Sequence, residues 1–135
     1  GRHPHLKQDR DLLTSVPGIG KKLSLHFVSL FHLKEFRKAS QAADFLGLVP
    51  VEYQWGTSVN KRPRLSKIGD ARFRAALYMP AIVATKYNPD VQALYQRLIV
   101  SGKSKMAAIG AAMRKLVHIA FGVFKNRTPY QPQNV

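Results

Sequence analysis

Between Lys103 and Phe124 the chain carries apolar residues at three- and four-residue intervals: Met106, Ile109, Met113, Leu116, Val117, Ala120 and Phe124. That is the period of an α-helix, and the run is too long for a strand. Ala107, Ala108, Gly110, Ala111 and Ala112 add a face with little side-chain bulk, against which other helices can pack closely. A helix of this kind cannot bury its stripe alone, so the rest of the chain must supply more helices. Asn88-Pro89 is a cap followed by proline at a first helical position, and Val91, Leu94, Tyr95, Leu98 and Ile99 form a stripe before Gly102 closes that helix. Asp70 reads as the N-cap of a helix running through Arg72, Arg74 and Leu77 towards Lys86, kinked at Pro80. Ser40 reads as the cap of a short helix, Gln41 to Leu46, that Gly47 ends. The expected fold is all-α, with five to six helices, one or two helix-hairpin-helix motifs and one irregular basic loop or short hairpin.

The first hairpin is carried by Thr14-Ser15-Val16-Pro17-Gly18-Ile19-Gly20-Lys21-Lys22. Residues 6–14 read as the end of one helix, and a second runs from Lys21 to about Phe31. Phe27, Phe31, Phe36 and Phe45 form the expected core around the turn. Glycines allow the chain to turn tightly, and the amides at the next helix start can receive a phosphate oxygen. Gly18, Ile19, Gly20, Lys21 and Lys22 are therefore candidate nucleic-acid contacts. The plain alternative is an ordinary turn between two core helices. Ser66-Lys67-Ile68-Gly69-Asp70 repeats the Ile-Gly pair, either as a degenerate second hairpin or by chance.

Charge favours the nucleic-acid reading. Twenty-two Lys/Arg against seven Asp/Glu give a formal net charge of +15 over 135 residues, which points to a polyanionic partner. The basic residues are not confined to one amphipathic helix, so a membrane surface is not the expected partner. Neither a transmembrane run of about 18 apolar residues nor a signal peptide is evident. With zero cysteines, disulfides, thiol nucleophiles and cysteine-based zinc sites are excluded, and the five scattered histidines suggest no structural metal. A reducing, cytoplasmic setting fits. His118, flanked by apolar residues, reads as a packed histidine rather than a base, and Tyr78, Tyr87 and Tyr95 as core or helix-surface aromatics.

Residues 54–74, Q-W-G-T-S-V-N-K-R-P-R-L-S-K-I-G-D-A-R-F-R, form the second candidate element. Thr57 lies at a polar tip, and Lys61, Arg62, Arg64, Lys67, Arg72 and Arg74 face one acid, Asp70. An irregular basic segment inside a small helical domain suits phosphate contact. Arg72 and Arg74 are about 200° apart on a helix, so one can face DNA while the other pairs elsewhere.

Taken in order, L-L-T-S-V-P-G-I-G, L-G-L-V-P, the stretch just quoted with A-A-L-Y-M-P-A after it, then Y-N-P, Y-Q-R-L, G-K, M-R-K-L and T-P-Y resemble the C-terminal domain of the insertion sequence one-ten family of transposases, which includes Piv-type DNA invertases. The likeness runs from about Leu12 to Tyr130. It implies 12–127 as a helical DNA-binding domain; residues 1–11 before it read as a remnant of a preceding helix or linker, and the Pro-, Gln- and Asn-rich 128–135 as a flexible tail. It also implies a RuvC-like N-terminal domain, in cis or in trans, whose four acidic residues bind a divalent metal such as Mg. The C-terminal domain would bring a serine nucleophile, and several members use a guide RNA from their own element. No RuvC-like cluster is recreated by the spacing of Asp9, Asp11, Glu35, Asp44, Glu52, Asp70 and Asp90. The family places its serine immediately before the loop glycine, where this chain has Trp55. An indole cannot attack phosphorus; Ser58 is the nearby hydroxyl and the candidate left, and it matches the family's second serine rather than its nucleophile.

Three functional readings follow. The first is the DNA-binding part of a transposase or recombinase, nucleoid-associated in a bacterial cytoplasm and not active alone, with a second copy of itself among the candidate partners. The second is a catalytic serine recombinase half completed in trans. The third is a degenerate helical module that binds protein.

Overall fold

The computed structural model describes residues 6–48 and 68–133. Six helices follow in order: α1 Leu6–Thr14, α2 Lys21–Leu33, α3 Ala39–Phe45, α4 Ile68–Tyr87, α5 Pro89–Val100 and α6 Lys105–Asn126. No strand occurs among the described residues, and the fold is all-α as expected. The Ala-rich α6 is the helix around which the others gather: α1, α3, α4 and α5 all pack on it. By length and composition it could cross a membrane, but its apolar face is occupied by these four neighbours. Ala112, Leu116, Val117 and Ala120 are fully buried, alongside Leu13, Phe27, Leu46, Leu77 and Val91 from the other helices. Met106, expected in the stripe, is exposed, because α5 seats Leu98 on Ala108 and Ala111 instead.

Local chemistry sets most helix ends. The Asn88 side chain accepts from the N–H groups of Asp90 and Val91, as its place before Pro89 requires. Ser104 caps α6 by accepting from Ala107, so that helix begins two residues later than its periodicity suggests. Two other cap assignments are corrected. Ser40 lies inside the first turn of α3, whose start is held by the Gln41 side chain accepting from the N–H groups of Arg37 and Lys38. Asp70 lies within α4, which already includes Ile68 and Gly69. The second Ile-Gly pair is thus helical, whereas Ile19-Gly20 precedes its helix, and the two are not equivalent hairpins. Phe27 and Phe31 are buried and Phe36 and Phe45 packed against the core, as expected.

Both ends of the described chain are tied into the domain. Asp9 is buried in α1, with its carboxylate 2.9 Å from His32 Nε2 and 2.6 Å from Arg127 Nη2. Burial raises its pKa, but the hydrogen bonds from His32 and Arg127 outweigh this and hold the carboxyl below its ordinary range. Residues 6–11 therefore belong to the same core as α2 and α6. The segment after α6 is likewise not a free tail over 128–133. The Tyr130 phenol lies 2.6 Å from the Asp90 carboxylate, to which it donates, and 3.0 Å from Asn88 Oδ1. The Gln133 N–H also donates to Asp90. Burial pushes the Tyr130 phenol up and the Asp90 charge adds to it, so the donor keeps its proton.

Asn88 therefore works in three directions, capping α5, facing the Tyr130 phenol and donating through Nδ2 to the Pro17 carbonyl at 3.1 Å. Asn88→Ala is expected to cost about 2 kcal/mol, from a lost cap and a buried carbonyl left without its donor. Urea unfolding followed by circular dichroism would measure it, and a loss below about 0.5 kcal/mol would show that this junction carries little stability.

Candidate nucleic-acid interface

The hairpin between α1 and α2 is built from inside outwards. Val16 and Ile19 are buried, and a turn closes between them with the Ile19 N–H donating to the Val16 carbonyl at 2.9 Å. Gly18 has φ +105°, a left-handed conformation that favours glycine. A Cβ at that position would lie 2.9 Å from Ala84 Cβ and 3.2 Å from the Pro80 carbonyl oxygen. The turn thus rests directly on α4, and Asn88 holds its Pro17 carbonyl. From the other side, the Ser15 hydroxyl accepts from the Tyr130 N–H at 2.8 Å.

Gly20 differs. It is exposed with φ −90° and ψ −173°, a backbone that any residue adopts, and a Cβ there would meet nothing within 4 Å. As N-cap of α2 it offers no side chain to the helix's first amides, and no acid lies in the first turn. Lys21 and Lys22, both exposed, occupy that turn instead. Two cations at the positive end of a helix dipole are electrostatically unfavourable for an isolated fold. Neither lysine forms an ion pair among the described residues. Uncapped amides and two free ammonium groups at one helix end are the donor set that binds a phosphate.

Arg72 and Arg74 divide as their angular separation suggests. Arg72 is exposed, whereas the Arg74 guanidinium donates to the Leu46 carbonyl at 3.0 Å and is engaged within the fold. Phe73, between the two arginines, packs edge-on against Phe27 and beside His26, so the start of α4 lies along α2. Thr57, Ser58, Lys61, Arg62, Arg64 and Lys67, and with them Trp55, lie outside the described residues.

Arg114 was not singled out by the sequence. From α6 it donates to the Asp44 carboxylate at 2.9 Å and to the Leu48 carbonyl. With Arg74 it fixes the end of α3, where Gly47 at φ +79° turns the chain and the Leu48 N–H returns to the Ala43 carbonyl. Asn88, Asp90 and Tyr130, which brace the hairpin, were also missed as a group, although Y-N-P-D and T-P-Y carry them. His118 is a packed residue: burial chiefly, then Arg114 and Lys115, lower its pKa and favour the neutral ring. Among the described residues no group of three or more His, Asp or Glu is placed to hold a metal ion.

Comparison with known proteins adds a family. The profile described as Transposase IS116/IS110/IS902 family matches residues 10–96. The chain is 35% identical over 130 residues to the pilin gene-inverting proteins of Moraxella bovis and Moraxella lacunata, covering 94% of this chain and 40% of each of theirs. It is 29% identical over 135 residues to the insertion element IS900 uncharacterized 42 kDa protein of Mycobacterium paratuberculosis, covering 97% of this chain and 32% of that protein. The chain thus spans about two fifths or less of the length of these relatives.

Proposed function

The chain belongs to the IS116/IS110/IS902 family of transposases, and from that premise we propose that it is a DNA-binding module for transposition or site-specific recombination, gripping phosphates with its first hairpin. The observation that carries this reading is the contrast between the two hairpin glycines. Gly18 is required by the fold, while Gly20 is not: a Cβ there would enter open space, and as N-cap it leaves the first amides of α2 without a side-chain acceptor. Gly20, Lys21 and Lys22 are the contact set, with Ile19 as the buried anchor. Arg72 extends the basic surface along α4. Thr57, Lys61, Arg62, Arg64 and Lys67 are proposed to add further phosphate contacts, while Arg74 serves the fold.

In this reading, strand cleavage draws on a RuvC-like acidic domain, in cis or in trans, and on the divalent metal that its carboxylates would hold. Trp55 occupies the position of the family serine, so this chain supplies binding rather than a nucleophile, and Ser58 is not assigned that role. A guide RNA and self-association are compatible with so basic a module, which would act at bacterial nucleoid DNA in the cytoplasm.

Phosphate contact of this kind is steeply salt-dependent. Titrating a labelled duplex of roughly 20 base pairs with the chain should give a slope of log K against log salt of about −5. A slope near zero, or no binding at about 50 mM salt, would overturn the reading.

A further inference from the structure

We propose that the groove between α4, α5 and the start of α6 binds an unpaired nucleotide of a DNA strand. The groove has a volume of about 480 Å³, and its lining includes Tyr78, Lys86, Gln92, Tyr95, Gln96 and Lys105. That volume falls within the roughly 300–1,000 Å³ in which proteins hold small ligands. No carboxylate lines it, so nothing there repels an anion.

Ile82, Thr85 and Ile109 complete the lining and serve the fold, whereas Tyr78, the two lysines and the two glutamines have polar groups that the fold does not use. Tyr78 is 37% exposed, and Tyr95 is half-buried with its inner edge packed against Leu98, Ala108 and Ala111. Among the described residues neither ring stacks on another aromatic side chain, and the partly exposed Tyr78 ring at the groove is the one offered to a base. Stacking on an aromatic ring is tolerant of base identity and is a principal source of single-strand affinity. Lys86, in the last turn of α4, and Lys105, at the head of α6, are exposed and form no ion pair among the described residues. Lys105 also stands at a helix start with no acid in the first turn, a position that favours an anion beside it. Gln92 and Gln96 are one turn apart on α5, and their side-chain amides, free of hydrogen bonds among the described residues, can both donate to and accept from a base edge.

A stacking ring, two phosphate-seeking ammonium groups and two amides suit a nucleotide outside a duplex. Paired bases are stacked on their neighbours and could not enter a groove between helices. The inference rests on the DNA-binding reading above and extends it, since strand exchange must take bases out of their duplex.

The test uses the whole 135-residue chain with a roughly 12-nucleotide oligothymidylate, a matching oligouridylate and a duplex, all followed by fluorescence anisotropy. Tyr78→Ala, and separately Lys86→Ala with Lys105→Ala, should weaken oligothymidylate binding about tenfold, while duplex affinity changes less than about twofold. Tyr78→Phe should keep wild-type affinity. Irradiating the wild-type chain with an iodouracil-substituted DNA strand should leave an adduct on the peptide containing Tyr78 or Tyr95. Unchanged single-strand affinity in the variants, an equal loss on duplex, adducts only elsewhere, or tighter binding of the ribonucleotide strand would each overturn the proposal. A chain that binds duplex but not the single strand overturns this inference alone, whereas one that binds neither overturns the DNA-binding reading with it.

Discussion

Glutamate at both Lys21 and Lys22 is expected to lower the affinity for duplex DNA by about 100-fold near 0.1 M salt. Each substitution removes a cation from the open end of α2 and puts a carboxylate in its place. Losing two phosphate contacts should also flatten the salt slope by about 1.8. Stability should move the other way: acids in the first turn complement the helix dipole, so the variant should be as stable as the parent or slightly more so. Opposite signs for binding and stability separate a contact role from a folding role. A variant that binds duplex as the parent does would remove the hairpin from the interface, and one that unfolds would show that the lysines serve the core.

The second large effect is on folding. Gly18→Ala is expected to cost about 3 kcal/mol, combining a left-handed backbone with a methyl group 2.9 Å from Ala84 Cβ. The two parts can be told apart. Pairing it with Ala84→Gly removes the nearest clash but not the backbone strain, so the double variant should recover only part of the loss beyond the helix cost of that glycine. Thermal and denaturant unfolding of the four proteins in the cycle would measure the coupling. Strict additivity would show that the turn does not press on α4 as described.

What could be read from the residues alone was the local chemistry. Asn88-Pro89 caps its helix because cap and proline act within three residues of each other, and the stripe of α6 follows from period alone. Gly18 was legible as a turn glycine, but not as the point where that turn meets α4, since Ala84 and Pro80 lie more than sixty residues along the chain. Sequence separation, shorter or longer, likewise hides Arg74 on the Leu46 carbonyl, Arg114 on Asp44, and the Asp9, His32 and Arg127 cluster. None has a sequence period, because each joins helices by tertiary packing. Composition misleads at the end of the chain, where polar Thr128–Gln133 reads as a tail until Tyr130 finds Asp90. Ser40 and Asp70 misled for a related reason: both are good capping residues, and both lie inside the helix they were expected to start. The basic stretch 54–67, which carried the candidate contacts Thr57, Lys61, Arg62, Arg64 and Lys67, lies outside the described residues. The site that can be built from geometry is therefore the first hairpin.

Phosphate docking at that hairpin is tested most directly by Gly20→Ala. The backbone there suits any residue and the added methyl group meets no protein atom, so the thermal midpoint should shift by no more than about 2 °C. Duplex affinity at about 0.1 M salt should nonetheless fall about tenfold, because the methyl group takes up open space at the helix start that a docked phosphate would occupy. An alanine variant that folds like the parent and binds duplex equally well would contradict phosphate docking at the hairpin.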